Sequence, residues 1–89
     1  MSRPYWRVEF APRARKDLRR LDRPVQQRVI EALERLTADP KLSGDVRRLV
    51  GSTEYRLRVG EWRVRFEVDG ERLVVTVVRV LPRGRAYDR

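Results

Sequence analysis

The sequence lacks two residue types on which protein cross-links and transition-metal sites most often depend. None of its 89 residues is cysteine or histidine. Without thiols the chain can form neither a disulfide bond nor a thiolate metal site. Without imidazoles as well, a zinc or copper centre is not expected. We therefore expect no metal and no other cofactor.

Long apolar segments are also missing. There is no run of about 18 apolar residues and no apolar core of a secretory signal near the start. No stretch is both long and amphipathic in the manner of an interfacial helix. We therefore expect a cytoplasmic protein without a membrane partner.

Negative charge is scarce relative to positive charge. Asp and Glu number 13 against 22 Lys and Arg, which gives a formal net charge of +9, and only Lys16 and Lys41 are lysine. Arginine grips phosphate through a planar fork of donors, whereas lysine acts as a point charge. A GC-rich genome explains part of the arginine bias but not where the arginines stand. The balance predicts a polyanionic or acidic partner: nucleic acid, the ribosome or an acidic protein.

The most informative stretch runs from Glu54 to Val68 and reads EYRLRVGEWRVRFEV. Apolar residues alternate with polar ones on both sides of Gly60-Glu61, which predicts a β-hairpin with one buried and one wet face. The wet face carries four arginines: Arg56, Arg58, Arg63 and Arg65. A symmetric turn places Arg58 opposite Arg63 and Arg56 opposite Arg65.

Like charges that lie directly opposite one another on a sheet repel and lower stability. A sheet selected for stability alone would interleave charges of opposite sign. The repeated arginines therefore favour an anion-binding site, and a solvated face without a ligand is the alternative.

The other elements follow from periodicity and from helix and turn signals. The predicted elements are a strand at Tyr5–Phe10, helices at Pro12–Leu21 and Pro24–Ala38, a loop at Lys41–Thr53, a two-residue turn at Asp69-Gly70 and a strand at Arg72–Leu81. The order βααβββ predicts one α+β domain over residues 1–89, with a helical hairpin packed on a four-stranded, mostly antiparallel sheet. The last strand is apolar on both faces and should lie inside the sheet. Simple alternation sends Arg79 of this strand to the apolar side, and its position stays open between the rim and a bulge.

The first predicted helix is a second candidate surface for phosphate contacts. Its surface carries many basic residues, among them Arg13, Lys16 and Arg20. A solvated helix face is the alternative interpretation.

The element order, with YRLRVGEWRVRFEV in the middle, VVRVLPRGRAY near the end and the basic ARKDLRRL helix near the start, resembles the RelE/ParE superfamily of bacterial type II toxins. The resemblance covers essentially the whole chain and is greatest to the RelE branch. It implies a ribosome-dependent endoribonuclease, an mRNA interferase that cuts messenger RNA in the ribosomal A site. It also implies contacts with ribosomal RNA and a cognate acidic, RelB-like antitoxin.

The resemblance also assigns roles to individual residues. In RelE-like enzymes, basic residues of the second and third strands, an arginine after the fourth and a tyrosine near the end surround the scissile phosphate. These positions match Arg56, Arg58, Arg63, Arg83 and Tyr87. Further nucleic-acid contacts are then expected from Arg65, Arg85, Arg13, Lys16 and Arg20. Tyr87 would stack on a base or orient the nucleophile, and plain packing is the alternative.

The implied reaction is attack of a ribose 2′-hydroxyl on the adjacent phosphorus, which needs positive charge and proton transfer. Arginine stays protonated and is a poor base. Relatives have lysine or histidine where this chain has Arg56, Arg58 and Pro82. The nearby carboxylates are Glu54, Glu61 and Asp88. Either one of these is the base, or positioning and charge alone supply the rate.

Two other functions fit the sequence. A ParE-like toxin shares the fold but inhibits DNA gyrase and has no nuclease site. A non-catalytic basic RNA-binding module would use the same charges without toxicity and would lose affinity steeply with salt.

Overall fold

In the computed structural model, which describes residues 5–85, the chain forms two α-helices and a five-stranded sheet. The elements are β1 (Arg7–Phe10), α1 (Pro12–Arg19), α2 (Arg23–Ala38), β2 (Val46–Arg48), β3 (Tyr55–Val59), β4 (Trp62–Asp69), β5 (Val74–Pro82) and a 3₁₀ turn (Arg83–Arg85). The predicted α+β class is confirmed. The predicted number of strands is wrong, because β2 lies inside the segment expected to be a loop. No helix in residues 5–85 has the length and apolar character needed to cross a membrane.

The strand order is β1-β5-β4-β3-β2. Among the strands of residues 5–85, only the β1–β5 pair is parallel, so the sheet is mostly antiparallel as predicted. β5 lies between β1 and β4, which confirms the inner position inferred from its apolar residues. The two edges are short strands, which limits the unpaired backbone open to other chains.

The helices form because their apolar residues recur at the helical period. α1 begins at Pro12, where the missing N–H is tolerated. α2 buries Val29, Leu33 and Leu36 along one stripe. It stops at Asp39, whose backbone is extended (φ −93°, ψ 122°) as expected before a proline.

One face of the sheet packs on the helices to form the core. Eleven buried apolar side chains form one cluster: Trp6, Ala14, Val29, Leu33, Leu36, Leu57, Val64, Phe66, Val75, Val77 and Val80. The arginines of β3 and β4 alternate with these residues and therefore occupy the opposite face, which we call the polar face.

The β3–β4 hairpin has the predicted register. Arg58 pairs with Arg63 and Arg56 pairs with Arg65, which confirms a turn at Gly60-Glu61. Gly60 has φ +57°, a left-handed conformation that favours glycine.

The β4–β5 connection differs from the prediction. β5 begins at Val74 rather than at Arg72, so the two-residue turn at Asp69-Gly70 is wrong. The Asp69 carboxylate accepts hydrogen bonds from the backbone N–H groups of Glu71 and Arg72, both at 3.1 Å. These side-chain bonds stabilise a longer turn than the dipeptide signal predicts.

α1 covers the edge of β5 that lies beyond the end of β1. The last β1 pair joins Phe10 to Val77, and the Ala11 N–H donates to the Val77 carbonyl oxygen at 2.8 Å. Further along β5, the Val80 N–H donates to the Asp17 carboxylate at 2.9 Å. A helix side chain thus satisfies a strand donor that has no strand neighbour on this side.

Candidate anion-binding site

Arginines stand in register across four strands of the polar face. The direct pairs are Arg47 with Arg56, Arg56 with Arg65, and Arg65 with Arg79. We call this line of four residues the arginine row. Neighbouring strands lie about 4.8 Å apart, so the positive charges are close to one another. Repulsion along it requires compensation by anions.

A bulge brings Arg79 into the arginine row. Phe66 pairs with Val77 whereas Arg65 pairs with Arg79, so Val78 is an extra residue on β5. Simple alternation would place Arg79 on the apolar side, and the bulge places it on the polar face instead. This finding decides between the two positions that the sequence left open.

The hairpin tip and the end of β5 enclose a pocket of about 430 Å³. We call it the tip pocket, and its lining residues are Asp45, Arg58, Gly60, Glu61, Arg63 and Arg83. It brings together three of the five residues predicted to surround a scissile phosphate. Three guanidinium groups around one small pocket can bind a phosphate through several charge-assisted hydrogen bonds.

Arg63 is the most rigidly held of the three arginines. It is only 7% exposed. Its Nη1 donates to the carbonyl oxygens of Gly60 at 2.8 Å and Trp62 at 2.9 Å. The tight hairpin turn therefore fixes the guanidinium orientation before any ligand arrives, which lowers the entropy lost on binding.

Arg58 is held less firmly. Its Nε donates to the Asp45 carboxylate, and its backbone N–H donates to the Asp45 carbonyl oxygen at 2.9 Å. The two side chains of the ion pair are 60% and 48% exposed. Exposed pairs of this kind contribute about 0–1 kcal/mol, so an incoming phosphate can displace the carboxylate at little cost.

Arg83 completes the pocket from the last described segment. It begins the 3₁₀ turn and its backbone N–H donates to the Glu61 carbonyl oxygen at 2.8 Å. This bond ties the end of β5 to the hairpin tip. The Arg83 side chain is exposed and faces no carboxylate partner among the ion pairs of residues 5–85.

Arg56 and Arg65 lie in the arginine row and do not line the tip pocket. Arg65 forms a 2.7 Å ion pair with Glu54, and the two side chains are 19% and 18% exposed. Glu54, a candidate base from the sequence, is thus engaged by an arginine. Arg56 is half-buried between Arg47 and Arg65.

The row ends at a second shielded ion pair. Arg79 donates to Asp17 through Nε at 2.8 Å and Nη2 at 3.2 Å. Burial opposes the charged form of Asp17, but hydrogen bonds from Arg79 and Val80, together with the charges of Arg79 and Arg13, lower its pKa. The pKa of Arg79 is raised mainly by its hydrogen bond to Asp17.

The predicted phosphate contacts of α1 lie on its exposed surface. Arg13 and Lys16 of α1, and Arg20 at its C-cap, are exposed, and none is in an ion pair within the described part of the chain; we call these three residues the cations of α1. They lie on an element other than those that form the tip pocket.

The remaining predicted site residues lie at the end of the sequence. Tyr87 and Asp88 lie outside the described residues. Arg85 is described for its backbone only, as the last residue of the 3₁₀ turn.

No pattern in the sequence indicates that Asp45 belongs to the site. It lies in the segment that was expected to be a loop, after Gly44. The unrecognised strand β2 places it there, since Val46 pairs with Leu57. Asp45 then stands beside Arg58, 13 residues away in the chain.

The fold and its arginine-lined face define the class of protein. A family model described as the ParE toxin of type II toxin–antitoxin systems matches residues 8–87. The chain therefore belongs to this toxin family, within the RelE/ParE superfamily. The RelE1 protein of Methanocaldococcus jannaschii is 34% identical over 83 residues, covering 90% of this chain and 92% of that protein.

Solved structures agree with this assignment. RelE in the archaeal RelE–RelB complex of Pyrococcus horikoshii matches with a TM-score of 0.76 and 29% identity, over 91% of this chain and 98% of that one. The toxin–antitoxin complex RelBE2 of Mycobacterium tuberculosis matches with a TM-score of 0.73 and 31% identity, over 90% and 99%. The YoeB/ParE toxin of Agrobacterium tumefaciens, at 14% identity and a TM-score of 0.72, shares the fold.

Proposed function

We propose that this toxin is a ribosome-dependent mRNA endoribonuclease whose reaction takes place in the tip pocket. The observation that carries the proposal is the convergence of Arg58, Arg63 and Arg83 on one pocket at the hairpin tip. Two RelE complexes that match at 29% and 31% identity support the RelE branch.

In the proposed reaction, the 2′-hydroxyl of an mRNA nucleotide attacks the adjacent phosphorus and displaces the 5′-oxygen. A 2′,3′-cyclic phosphate and a 5′-hydroxyl result. Negative charge grows on the phosphorane oxygens in the transition state, and fixed guanidinium groups stabilise it there. Arg63 is suited to this role because its orientation is set by backbone carbonyls.

The other predicted residues act around this centre. Arg56 and Arg65 extend positive charge along the polar face. Arg85 and the cations of α1 contact ribosomal RNA, and Tyr87 stacks on a base or orients the nucleophile. The ribosome supplies the geometry of the mRNA in its A site.

We also propose that a cognate antitoxin holds the toxin inactive. The similar toxins of Pyrococcus horikoshii and Mycobacterium tuberculosis were both solved as toxin–antitoxin complexes. A net charge of +9 favours an acidic segment that covers the polar face of the free toxin.

The deciding experiment combines purified toxin with ribosomes that carry a defined mRNA, and maps cuts by primer extension. Cleavage within the A-site codon is expected, with no cleavage of free mRNA. Arg83→Ala should reduce the rate about 100-fold, as removal of one charge-stabilising donor typically does. Because Arg83 is exposed, this variant should keep its fold. Arg72→Ala, in the β4–β5 turn, is a matched control and should cleave like the wild type.

A ParE-like function is the second candidate, and the ParE family model favours it. Under this alternative the toxin stabilises cleaved complexes of DNA gyrase and leaves ribosome-bound mRNA intact. Gyrase–DNA complexes that accumulate without mRNA cuts would overturn the nuclease proposal. Binding to ribosomes with neither effect would indicate a passive RNA-binding module.

A further inference from the structure

The tip pocket contains two carboxylates in addition to its three arginines. Asp45 and Glu61 line the same pocket of about 430 Å³. A purely electrostatic phosphate site has no need of acidic groups, because each one weakens anion binding. A carboxylate here relieves repulsion between the arginines, and it can also accept a proton.

Proton transfer is the step that the arginines cannot perform. A guanidinium is always protonated near neutral pH and has no free lone pair to accept a proton. Among the described residues that line the pocket, only the two carboxylates can accept a proton. Within residues 5–85, the candidates for a general base in this pocket are therefore these two carboxylates.

Asp45 is favoured over Glu61 by its contacts. Its carboxylate already lies against Arg58, on the guanidinium that a bound phosphate would engage. The backbone bond between the two residues, at 2.9 Å, keeps Asp45 beside Arg58 even when their side chains separate. By contrast, within residues 5–85 the Glu61 side chain is in none of the ion pairs, and its backbone carbonyl accepts a hydrogen bond from the Arg83 N–H.

We infer that Asp45 is the general base of the proposed nuclease. Its carboxylate becomes available when the scissile phosphate displaces it from Arg58. The inference rests on the proposed function. In the free toxin, Arg58 and Asp45 neutralise one another. Bound phosphate replaces the carboxylate on Arg58, and Asp45 is left beside the adjacent ribose.

The step balances in atoms and charge. Asp45 accepts the proton of the 2′-hydroxyl while the 2′-oxygen forms its bond to phosphorus. The phosphorus–5′-oxygen bond then breaks, and the 5′-oxygen leaves with the electron pair and takes a proton from water. Asp45 returns its proton to solvent after the products depart.

The test measures single-turnover cleavage on mRNA-programmed ribosomes by wild-type toxin and Asp45→Asn. Affinity is measured separately with an mRNA whose A-site codon is 2′-O-methylated and cannot react. We expect cleavage to fall about 100-fold in Asp45→Asn, the usual contribution of a general base, with affinity unchanged or increased. Glu67→Gln removes a carboxylate from the same sheet face outside the pocket and is the control with wild-type activity.

A carboxylate that only competes with the phosphate predicts the opposite sign. If Asp45 only competes with phosphate for Arg58, Asp45→Asn should cleave as fast as the wild type or faster, which would overturn the inference. A large loss in Glu61→Gln with none in Asp45→Asn would also overturn it, because Glu61 would then be the base.

A sulfur substitution separates base from acid. With a 5′-bridging sulfur at the cut site, the leaving group needs no proton, so a defect in a general acid disappears and a defect in the base persists. We expect the Asp45→Asn defect to persist, and its disappearance would contradict the inference. If the wild type itself cuts no mRNA, the proposed function fails, and this result is distinct from an Asp45→Asn enzyme that cleaves normally.

Discussion

Single ion pairs explain how the sheet tolerates so many arginines on one face. Arg58, Arg65 and Arg79 each hold a carboxylate that comes from outside their own strand. The repulsion expected from the sequence is therefore partly relieved within the protein. The shielded pairs are more strongly coupled than the exposed Arg58 pair, because solvent screens them less.

Replacement of Asp17 by asparagine should destabilise the protein at neutral pH. Its carboxylate accepts hydrogen bonds from Arg79 and from the Val80 N–H, and its side chain is 11% exposed. Loss of such charge-assisted bonds costs on the order of 2 kcal/mol in the free energy of unfolding. Urea denaturation at pH 7 measures this quantity. Asp22→Asn makes the same charge change at an exposed helix N-cap whose side chain forms no capping hydrogen bond. It should change the free energy of unfolding by less than about 0.5 kcal/mol.

The effect of Asp17 should depend on pH with a defined sign. Its pKa is lowered in the folded state below its unfolded value of about 3.9. The stabilisation is therefore complete above about pH 4 and is lost as the pH falls through the folded pKa. The difference in the free energy of unfolding between the wild type and Asp17→Asn should therefore shrink as the pH is lowered below about 4. A difference that stays constant with pH would show that packing rather than charge is responsible.

At the scale of elements, the β3–β4 hairpin positions the site through its turn. Gly60 has φ +57°, and a Cβ added there would meet nothing within 4 Å. Gly60→Ala should therefore lower the free energy of unfolding by about 1 kcal/mol through backbone conformation alone. Gly60→Asn should cost less, because asparagine tolerates left-handed angles better. Urea unfolding of both variants measures the difference.

Gly70 offers the matched control for the hairpin prediction. It also has open space around its Cα but is not in the left-handed region. Gly70→Ala should leave stability unchanged or slightly increased, because alanine reduces the entropy of the unfolded chain. An equal loss in Gly60→Ala and Gly70→Ala would contradict the conformational argument.

The elements also separate what the sequence could predict from what it could not. The register of β3 and β4 is local, so alternation and one turn signal were enough to pair Arg58 with Arg63. β2 has three residues and no alternation to detect. The Val78 bulge and the Asp17–Arg79 pair, 62 residues apart, depend on tertiary contacts. Of the residues that line the tip pocket, Arg58, Arg63 and Arg83 could thus be predicted, whereas Asp45 could not.

At the scale of the molecule, positive charge divides between two surfaces. The polar face is partly neutralised by its own carboxylates. The cations of α1 are exposed and outside the ion pairs found in residues 5–85. We therefore expect α1 to supply much of the salt-dependent affinity for RNA and the tip pocket to position one phosphate.

Charge removal on α1 should flatten the salt dependence of ribosome binding. The triple variant Arg13→Gln, Lys16→Gln, Arg20→Gln removes three exposed cations, each of which releases about one counterion on contact with phosphate. The slope of log affinity against log salt should decrease in magnitude by about 2 to 3.

A second triple variant, Arg28→Gln, Arg35→Gln, Arg72→Gln, makes the same change in net charge at exposed positions elsewhere. Fluorescence anisotropy on ribosomes with an uncleavable A-site codon measures both slopes. The slope of the second variant should stay close to that of the wild type, because charge outside the contact surface affects the long-range field but releases no counterions. Equal slopes for the two variants would mean that net charge, rather than the surface of α1, determines the affinity.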